Sequence, residues 1–261
     1  MGRGQGNHLH RWRDALAPLS FRARALHHAP HATGMSSPLS DEKIIDSWRR
    51  NAAPWSTAVR EGQIDSRRLV TDRAILEAVM RQAPATALDI GCGEGWLSRA
   101  LSEHGITTIG VDVIPELVEA ARLAAPGGDY RVASYEAIAA GALDVQVDVA
   151  VANFSLIGKE AVDALVRRIP SLLVPRGRLI VQTLHPASTL GELPYVDGWR
   201  PGSWAGFSPS FTDPAPWFFR TLATWVTLII ESGFVVRELA EPLHPHTLKP
   251  ASLLIVAEAK P

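Results

Sequence analysis

The residues from Asp89 to Asp112 have the types and spacing to hold a nucleoside ligand. Positions 89–95 read Asp-Ile-Gly-Cys-Gly-Glu-Gly, directly after an apolar run and before an amphipathic one. Glycines at such a strand-to-helix turn let the backbone approach a ligand closely and present its N–H groups. Asp112 follows about twenty residues after the first glycine, at the end of the next apolar run, where a carboxylate can accept both hydroxyls of a ribose. The segment therefore predicts a site for a nucleoside-bearing ligand.

The third glycine of the loop argues against a dinucleotide. A dinucleotide fingerprint, G-x-G-x-x-G, would need glycine at position 96, but that residue is Trp96 and the glycine is Gly95. Asp89 also places a negative charge next to the loop, which suits a cationic ligand better than a phosphate. An oxidoreductase that binds a nicotinamide dinucleotide is therefore disfavoured.

The loop matches, at every fixed position, the first motif D/E-x-G-x-G-x-G of the class I S-adenosylmethionine-dependent methyltransferases. The chain resembles this family also at positions 110–112, 148–153 and 172–179, and the resemblance extends from about residue 40 to the C-terminus. It implies S-adenosylmethionine as the cofactor, with its methionine part on the glycine loop and its ribose on Asp112. Many relatives carry an aspartate after the third strand, where this chain reads Ser-Tyr-Glu. The cofactor-binding residues that the resemblance implies are Asp89, Gly91, Cys92, Gly93, Gly95, Asp112, Val113, Ser134, Tyr135 and Asn153.

Alternating strands and helices must position these residues. Such alternation predicts βαβ units and a mostly parallel sheet, and a short, proline-containing connection between the last two strands favours a hairpin. The predicted fold is α/β: a Rossmann-like seven-stranded, mostly parallel sheet with one antiparallel strand and helices on both faces. We expect strands at Ala85–Ile90, Thr107–Val111, Tyr130–Ala133, Val147–Ala152, Arg178–Thr183, Phe234–Leu239 and Ser252–Glu258, and helices from Ser40 and across Ser66–Arg81, Gly95–His104, Pro115–Ala124, Glu160–Leu173 and Trp217–Ser232.

The first 38 residues differ in composition from the rest. They contain five arginines and five histidines but a single acid, Asp14. We interpret them as a disordered extension, or as sequence upstream of a start at Met35; an Arg-rich transit peptide is the alternative. Residues 39–261 are then the methyltransferase domain, with an aromatic substrate-side insert at about 185–219.

The overall composition narrows the class of partner. The chain is 46% hydrophobic and 20% charged with a formal net charge of −1, which argues against a broad nucleic-acid surface. No apolar run approaches the ~20 residues of a membrane span. We expect a cytoplasmic monomer or homodimer with no membrane partner, and metal-independent chemistry. Cys92, the single cysteine, lies in the cofactor loop, so it cannot serve as the nucleophile of cytosine methylation.

The substrate side is predicted from position and composition. His185 follows the fifth strand and is the candidate general base; the alternative is that it only hydrogen-bonds the loop next to Pro186. The insert is rich in aromatic residues that form either a substrate pocket or a small satellite core. An aromatic-containing N-terminal helix resembles the lid of many small-molecule methyltransferases; the alternative is that its Trp48 and Trp55 only anchor the helix to the sheet. The candidate substrate residues are Trp48, Trp55, Trp199, Trp204 and Arg220.

These observations predict transfer of a methyl group to an oxygen or nitrogen of a small molecule. Two alternatives stay open: an RNA or protein methyltransferase, and a non-catalytic subunit that binds S-adenosylmethionine. Positions 153–156 read Asn-Phe-Ser-Leu and lack the prolines found where exocyclic base amines are methylated.

Overall fold

The computed structural model describes residues 37–261. The predicted N-terminal extension therefore lies almost entirely outside the described residues. Within residues 37–261, no helix combines the length and the apolar character needed to cross a membrane.

The architecture is a seven-stranded sheet of order β3-β2-β1-β4-β5-β9-β8. Strands β1 to β5 pair in parallel, whereas β9 runs antiparallel to both β5 and β8. A separate two-stranded sheet joins β6 and β7. The predicted fold class is confirmed. The strands are β1 (Thr86–Ile90), β2 (Thr107–Asp112), β3 (Asp129–Val132), β4 (Val147–Asn153), β5 (Leu173–Thr183), β6 (Gly198–Arg200), β7 (Trp217–Phe219), β8 (Phe234–Ala240) and β9 (Leu253–Ala259).

Helices cover both faces of the main sheet. A π-helical turn, Arg67–Thr71, leads directly into the second helix, and a 3-10 turn, Ile169–Leu172, extends the sixth. The helices are α1 (Asp41–Arg60), α2 (Asp72–Met80), α3 (Trp96–Glu103), α4 (Pro115–Ala124), α5 (Tyr135–Ala139), α6 (Glu160–Arg168), α7 (Pro186–Thr189) and α8 (Leu222–Glu231).

Alternate residues of the central strands feed two hydrophobic cores. Leu88 and Ile90 of β1 pack in the core that contains the inner faces of α6 and α8, whereas Ala87 packs in the core under α2 and α3. Successive side chains of a strand point to opposite faces of a sheet, so a strand covered on both faces is apolar throughout. This packing fixes the carboxyl ends of β1, β2 and β4 side by side.

The prediction of one helix across Trp217–Ser232 is wrong in its first part. Trp217–Phe219 form strand β7, and α8 begins only after Thr221, whose hydroxyl accepts a hydrogen bond from the backbone N–H of Thr224 at 3.1 Å. A threonine in this position caps a helix and marks its start. The preceding aromatic run pairs with β6, a partner that local periodicity does not reveal.

Other boundaries also shift. Strand β5 begins at Leu173 rather than Arg178, with an irregularity in its pairing to β4. The short helices α5 and α7 were not predicted, because four or five residues are too few to show a helical period.

Candidate active site

A cavity of about 420 Å³ opens where β1, β2 and β4 end. Gly91 and Gly93 follow β1, Asp112 ends β2 and Asn153 ends β4, and all four line it. The order of the strands reverses between β1 and β4, and open α/β sheets bind their ligands beyond the strand ends at such a reversal. Its volume lies in the range of about 300–1,000 Å³ typical of small-molecule sites.

The glycine loop allows a ligand to approach the backbone closely, and this matters more than the hydrogen-bond donors it offers. Gly91 has φ +70°, and a Cβ on it would lie 2.3 Å from that of Ser155, so only glycine fits. The N–H groups of Gly91 and Cys92 both donate to the carbonyl of Val111, at 2.8 and 3.0 Å. That of Gly93 donates to the Asp112 carboxylate. This corrects the expectation that the loop presents free N–H groups, because the loop uses them to hold its own shape.

Asp112 is positioned as an acceptor at the edge of the cavity. Its two carboxylate oxygens accept the N–H groups of Gly93 and Ile114, each at 2.9 Å. Burial raises the pKa of this carboxyl, and the backbone hydrogen bonds oppose the shift. A carboxylate has about four lone-pair sites, so two remain for the hydroxyls of a ligand.

Two residues of the motif lie behind the cavity wall instead of in it. The carboxylate of Asp89 is 2% exposed and accepts the hydroxyl of Ser98 at 2.8 Å. Burial raises the pKa of Asp89 to about 7. Gly95 has φ +81°, and a Cβ on it would lie 2.9 Å from both Ala121 and Tyr130. Asp89 and Gly95 therefore stabilise the conformation of the loop, whereas they were predicted to contact the cofactor.

Helix α5 supplies the side of the cavity next to β2. The Ser134 hydroxyl caps this helix by accepting the N–H of Ala137 at 3.1 Å. The Tyr135 hydroxyl donates to the carbonyl of Ser155 at 3.1 Å, and burial raises its pKa. Ser134, Tyr135 and Val113 line the cavity, as do Cys92 and Asn153. The structure thus brings these predicted residues together.

Aromatic side chains form another part of the cavity wall. Trp48 and Trp55 of α1 and Trp204 of the insert line it, as predicted for these three, together with Phe207 and Trp217. The Trp48 ring meets those of Trp55 and Trp204 edge to face, with centroids 5.0 and 5.8 Å apart. This wall suits a flat, apolar ligand.

Asn51 holds the insert against α1. Its side chain is fully buried, its amide nitrogen donates to the carbonyl of Thr212 at 2.7 Å, and its oxygen accepts the Thr212 N–H at 2.9 Å. The Trp204 indole N–H donates to the same Thr212 carbonyl at 3.0 Å. Lys43 and Arg50 add ion pairs to Asp213, at 2.5 and 2.7 Å. The aromatic wall therefore depends on contacts between segments far apart in the sequence.

Three of the residues predicted for catalysis or substrate binding lie outside the cavity lining. His185 is 7% exposed; its Nε2 lies 2.7 Å from the Glu241 carboxylate, and its Nδ1 accepts the N–H of Ala187. This placement argues against His185 as the general base and favours the structural role that was its alternative. Trp199 packs edge to face against Phe218, with centroids 5.6 Å apart.

Arg220, the third of them, is buried and serves the fold. It donates to the carbonyl of Gly158 and to the carboxylate of Asp163, each at 2.7 Å, while its guanidinium lies between the rings of Phe218 and Trp225. Arg220 therefore links the end of β7 to the start of α6 by hydrogen bonds.

Sequence reasoning missed several lining residues. Arg67 and Thr71 belong to the π-helical turn before α2, and Ser155 follows β4. An arginine and a threonine in an amphipathic helix read as surface residues, and a π-helical turn has no recognised sequence signal. The missed positions are Asp41, Ile44, Ile45, Ile64, Ser66, Arg67, Thr71, Glu94, Trp96, Ile114, Leu117, Glu136, Phe154, Ser155, Ile157, Gly158, Ala161, Val162, Leu184, Gly202, Ser203, Phe207, Pro214, Ala215 and Trp217.

The fold and cavity together define a Rossmann-like α/β protein with a site for a nucleoside-bearing ligand. Residues 88–181 match the family described as a methyltransferase domain. Over these residues the resemblance to the class I S-adenosylmethionine-dependent methyltransferases noted in the sequence is confirmed.

Sequence relatives support the same family. A ubiquinone biosynthesis O-methyltransferase of Xanthomonas axonopodis pv. citri is 37% identical over 119 residues, which cover 42% of this chain and 47% of that enzyme. The chain thus spans about half the length of the curated relatives it matches.

Solved structures share the fold. An S-adenosylmethionine-dependent methyltransferase from Mesorhizobium loti has a TM-score of 0.54 at 24% identity, over 70% of this chain and 95% of that one. The 1,6-didemethyltoxoflavin-N1-methyltransferase of Burkholderia thailandensis, solved with 1,6-didemethyltoxoflavin and S-adenosylhomocysteine, has a TM-score of 0.58 at 18% identity, over 89% and 95%. At these identities the likeness shows the fold alone.

Proposed function

We propose that this protein transfers a methyl group from S-adenosylmethionine to an oxygen or nitrogen atom of a small, flat molecule. The observation that carries the proposal is the single cavity that joins the carboxylate of Asp112, the side-chain-free surface of Gly91 and Gly93, and the aromatic wall around Trp48 and Trp204. One part of its wall suits a nucleoside and another suits an apolar acceptor.

The residues present fit the cofactor. Asp112 keeps lone pairs for the two ribose hydroxyls, and Gly91 and Gly93 leave room for a thioether chain across the end of β1. Tyr135 and Val113 border the space next to the ribose site. When bound, S-adenosylmethionine supplies an electrophilic methyl group on a cationic sulfur.

The chain's own contribution to the reaction is positioning and exclusion of water. Methyl transfer is an in-line displacement, and holding the acceptor in line with the reactive carbon removes much of the entropic barrier. The rings of Trp48, Trp204 and Trp217 present apolar surface that keeps a planar acceptor dry and oriented.

The names of the sequence relatives support oxygen as an acceptor atom, because these relatives are ubiquinone biosynthesis O-methyltransferases. The near-neutral charge of the chain supports a small molecule over a nucleic acid.

Calorimetric titration with S-adenosylmethionine, with NADH as the comparison ligand, tests the proposal. We expect micromolar binding of S-adenosylmethionine and none of NADH, and binding about tenfold weaker in Asp112→Asn, because one charge-assisted contact is lost. Asp129→Asn is the matched control and should bind normally, because Asp129 lies on β3, next to β2, and its exposed carboxylate pairs with Arg131 of the same strand.

Turnover of phenols and aromatic amines, followed by mass spectrometry, then tests catalysis. A folded protein that ignores S-adenosylmethionine contradicts the proposal. Tight binding without turnover of any acceptor would favour the non-catalytic subunit instead.

A further inference from the structure

One residue of the cavity wall has a backbone conformation that its residue type disfavours. Phe154 has φ +54°, in the left-handed region that a bulky side chain rarely enters. Five non-glycine residues have a positive φ within the part of the chain that the structure describes, and Phe154 is the one among them that lines the cavity. Strained residues of this kind cluster at functional sites, so the conformation of Phe154 calls for an explanation.

Hydrogen bonds on both sides of Phe154 hold this conformation in place. Its N–H donates to the carbonyl of Gln182 on β5 at 2.7 Å. The hydroxyl of the next residue, Ser155, donates to the carbonyl of Ile90 at 2.6 Å, and the Ser155 carbonyl accepts the hydroxyl of Tyr135 at 3.1 Å. A strained conformation persists only where the surrounding structure determines it, and here β1, β5 and α5 all contribute.

The segment that follows β4 joins the glycine loop to the aromatic wall. A Cβ on Gly91 would lie 2.3 Å from that of Ser155, so the segment packs directly on the loop. Two residues further on, the carbonyl of Ile157 accepts the N–H of Phe218 at 2.8 Å, and Trp217, the neighbour of Phe218, lines the cavity. A methyl acceptor must reach both the cofactor and the aromatic wall, so this segment borders the place where the two ligands meet.

The ring of Phe154 has surface left for a ligand. The residue is only partly buried, and within residues 37–261 its ring forms no aromatic pair. Trp48, Trp204 and Phe207, in contrast, all pack against other rings of the wall. A glycine at position 154 would adopt the positive φ without strain, as Gly91 does. The feature that phenylalanine adds here, at the cost of strain, is the ring.

We propose that Phe154 is a specificity-determining residue of the acceptor site, whose ring is the flat surface on which a planar acceptor lies beside the reactive methyl group. Aromatic rings interact favourably in offset-stacked or edge-to-face arrangements, and a backbone held by its neighbours keeps such a surface in one place. This inference rests on the proposed function and adds the residue that selects flat acceptors over non-planar ones.

The test compares two probes, one flat and one saturated. 2-Naphthol and decahydro-2-naphthol share a carbon skeleton and one hydroxyl, but only the first is planar and aromatic. Calorimetric titration with each probe, in the presence of S-adenosylhomocysteine, measures the affinity. In Phe154→Leu we expect the affinity for 2-naphthol to fall about three- to tenfold, as for loss of one aromatic pair. The affinities for decahydro-2-naphthol and for S-adenosylhomocysteine should change less than about twofold.

A second pair of variants measures the strain separately from the ring. Phe154→Gly and Phe154→Ala both lack the ring, but only glycine adopts a positive φ without strain. We expect Phe154→Gly to unfold at a temperature about 2–4 °C above that of Phe154→Ala. Both variants should bind 2-naphthol no more tightly than Phe154→Leu does.

Leu248 provides the matched control for both measurements. It has the same φ of +54°, which shows that leucine adopts this conformation, but it is 72% exposed in the connection between β8 and β9 and lies outside the cavity lining. Leu248→Gly should also unfold at a higher temperature than Leu248→Ala. Both of these variants should bind the two probes as the wild type does.

Unchanged affinity for 2-naphthol in Phe154→Leu, or equal losses for the two probes, overturns the role of Phe154 while leaving the proposed function intact. Equal unfolding temperatures of Phe154→Gly and Phe154→Ala overturn the strain on which the inference is built. A wild-type protein that binds S-adenosylhomocysteine but neither probe overturns the selection of flat acceptors alone. A folded wild type that does not bind S-adenosylhomocysteine overturns the proposed function, and this inference with it.

Discussion

Replacement of Asn51 by alanine should release the aromatic insert from α1 while leaving the sheet folded. The variant loses both hydrogen bonds to Thr212, and the Thr212 N–H loses the only partner it has among the described residues. The Thr212 carbonyl keeps its bond from Trp204. Two hydrogen bonds at about 0.5–1.5 kcal/mol each amount to about 1–3 kcal/mol.

Such a change in free energy should be visible as local opening. It corresponds to a rise of about 5- to 160-fold in the population of the undocked insert. Amide hydrogen exchange, followed by mass spectrometry on peptides that cover positions 203–215, should speed up toward that factor. Peptides from β1 and β4 should exchange as in the wild type, since their hydrogen bonds lie within the sheet.

Ser56→Ala provides the comparison for this variant. Ser56 also lies on α1, but its hydroxyl donates to the helix's own carbonyl at Ala52 and does not reach the insert. Its exchange in the insert should match the wild type. Unchanged exchange of the insert in Asn51→Ala would refute the docking role of Asn51, and equally faster exchange over the whole protein would show that Asn51 supports the fold rather than the insert.

Three further substitutions follow from the site. Burial raises the pKa of Asp89 from its ordinary 3.8 to about 7, so the folded state holds the proton more tightly than the unfolded state does. The free energy of unfolding should therefore fall as pH rises from about 4 to 7. Asp89→Asn should flatten this fall in thermal unfolding, and its free energy of unfolding at pH 8 should exceed that of the wild type by at most on the order of 4 kcal/mol. An unchanged pH profile would contradict the burial argument. Gly91→Ala should weaken S-adenosylhomocysteine binding at least about tenfold, because of its positive φ and the clash with Ser155; normal affinity in calorimetry would mean that the loop can shift. His185→Gln should leave kcat within about twofold, since the ring binds Glu241 outside the cavity; a fall of a hundredfold or more would restore His185 as the base.

Local chemistry allowed the cofactor side to be predicted. The turn from Gly91 to Gly95 needs a backbone conformation that favours glycine, and the end of the second strand needs a negative charge, which Asp112 supplies. Few other residues meet these requirements, so the positions of these residues in the sequence locate the end of the sheet. The burial of Asp89 was not predictable, because a carboxylate next to a loop reads equally as a ligand contact or as an internal acceptor for Ser98.

The substrate side depends on contacts that are distant in sequence. Asn51 and Thr212 are 161 positions apart in the sequence, and no periodicity in either segment indicates the pairing. The position of His185 after β5 gave the correct edge of the sheet but not the direction of the ring. The start of α8 was missed because an aromatic run before Thr221 is compatible with either a strand or a helix.

The pairing of β6 with β7 allows the segment between them, which carries part of the aromatic wall, to vary without disturbing the main sheet. Gly198 lies opposite Phe219, and Arg200 lies opposite Trp217, so the two ends of the segment between them are fastened together. A change of length or sequence within 201–216 therefore leaves the ends of the segment in place and does not distort the main sheet. Evolution or protein engineering can therefore adapt the protein to a new methyl acceptor by exchanging residues 201–216 together with the face of α1 that contacts them. The glycine loop and Asp112 need not change.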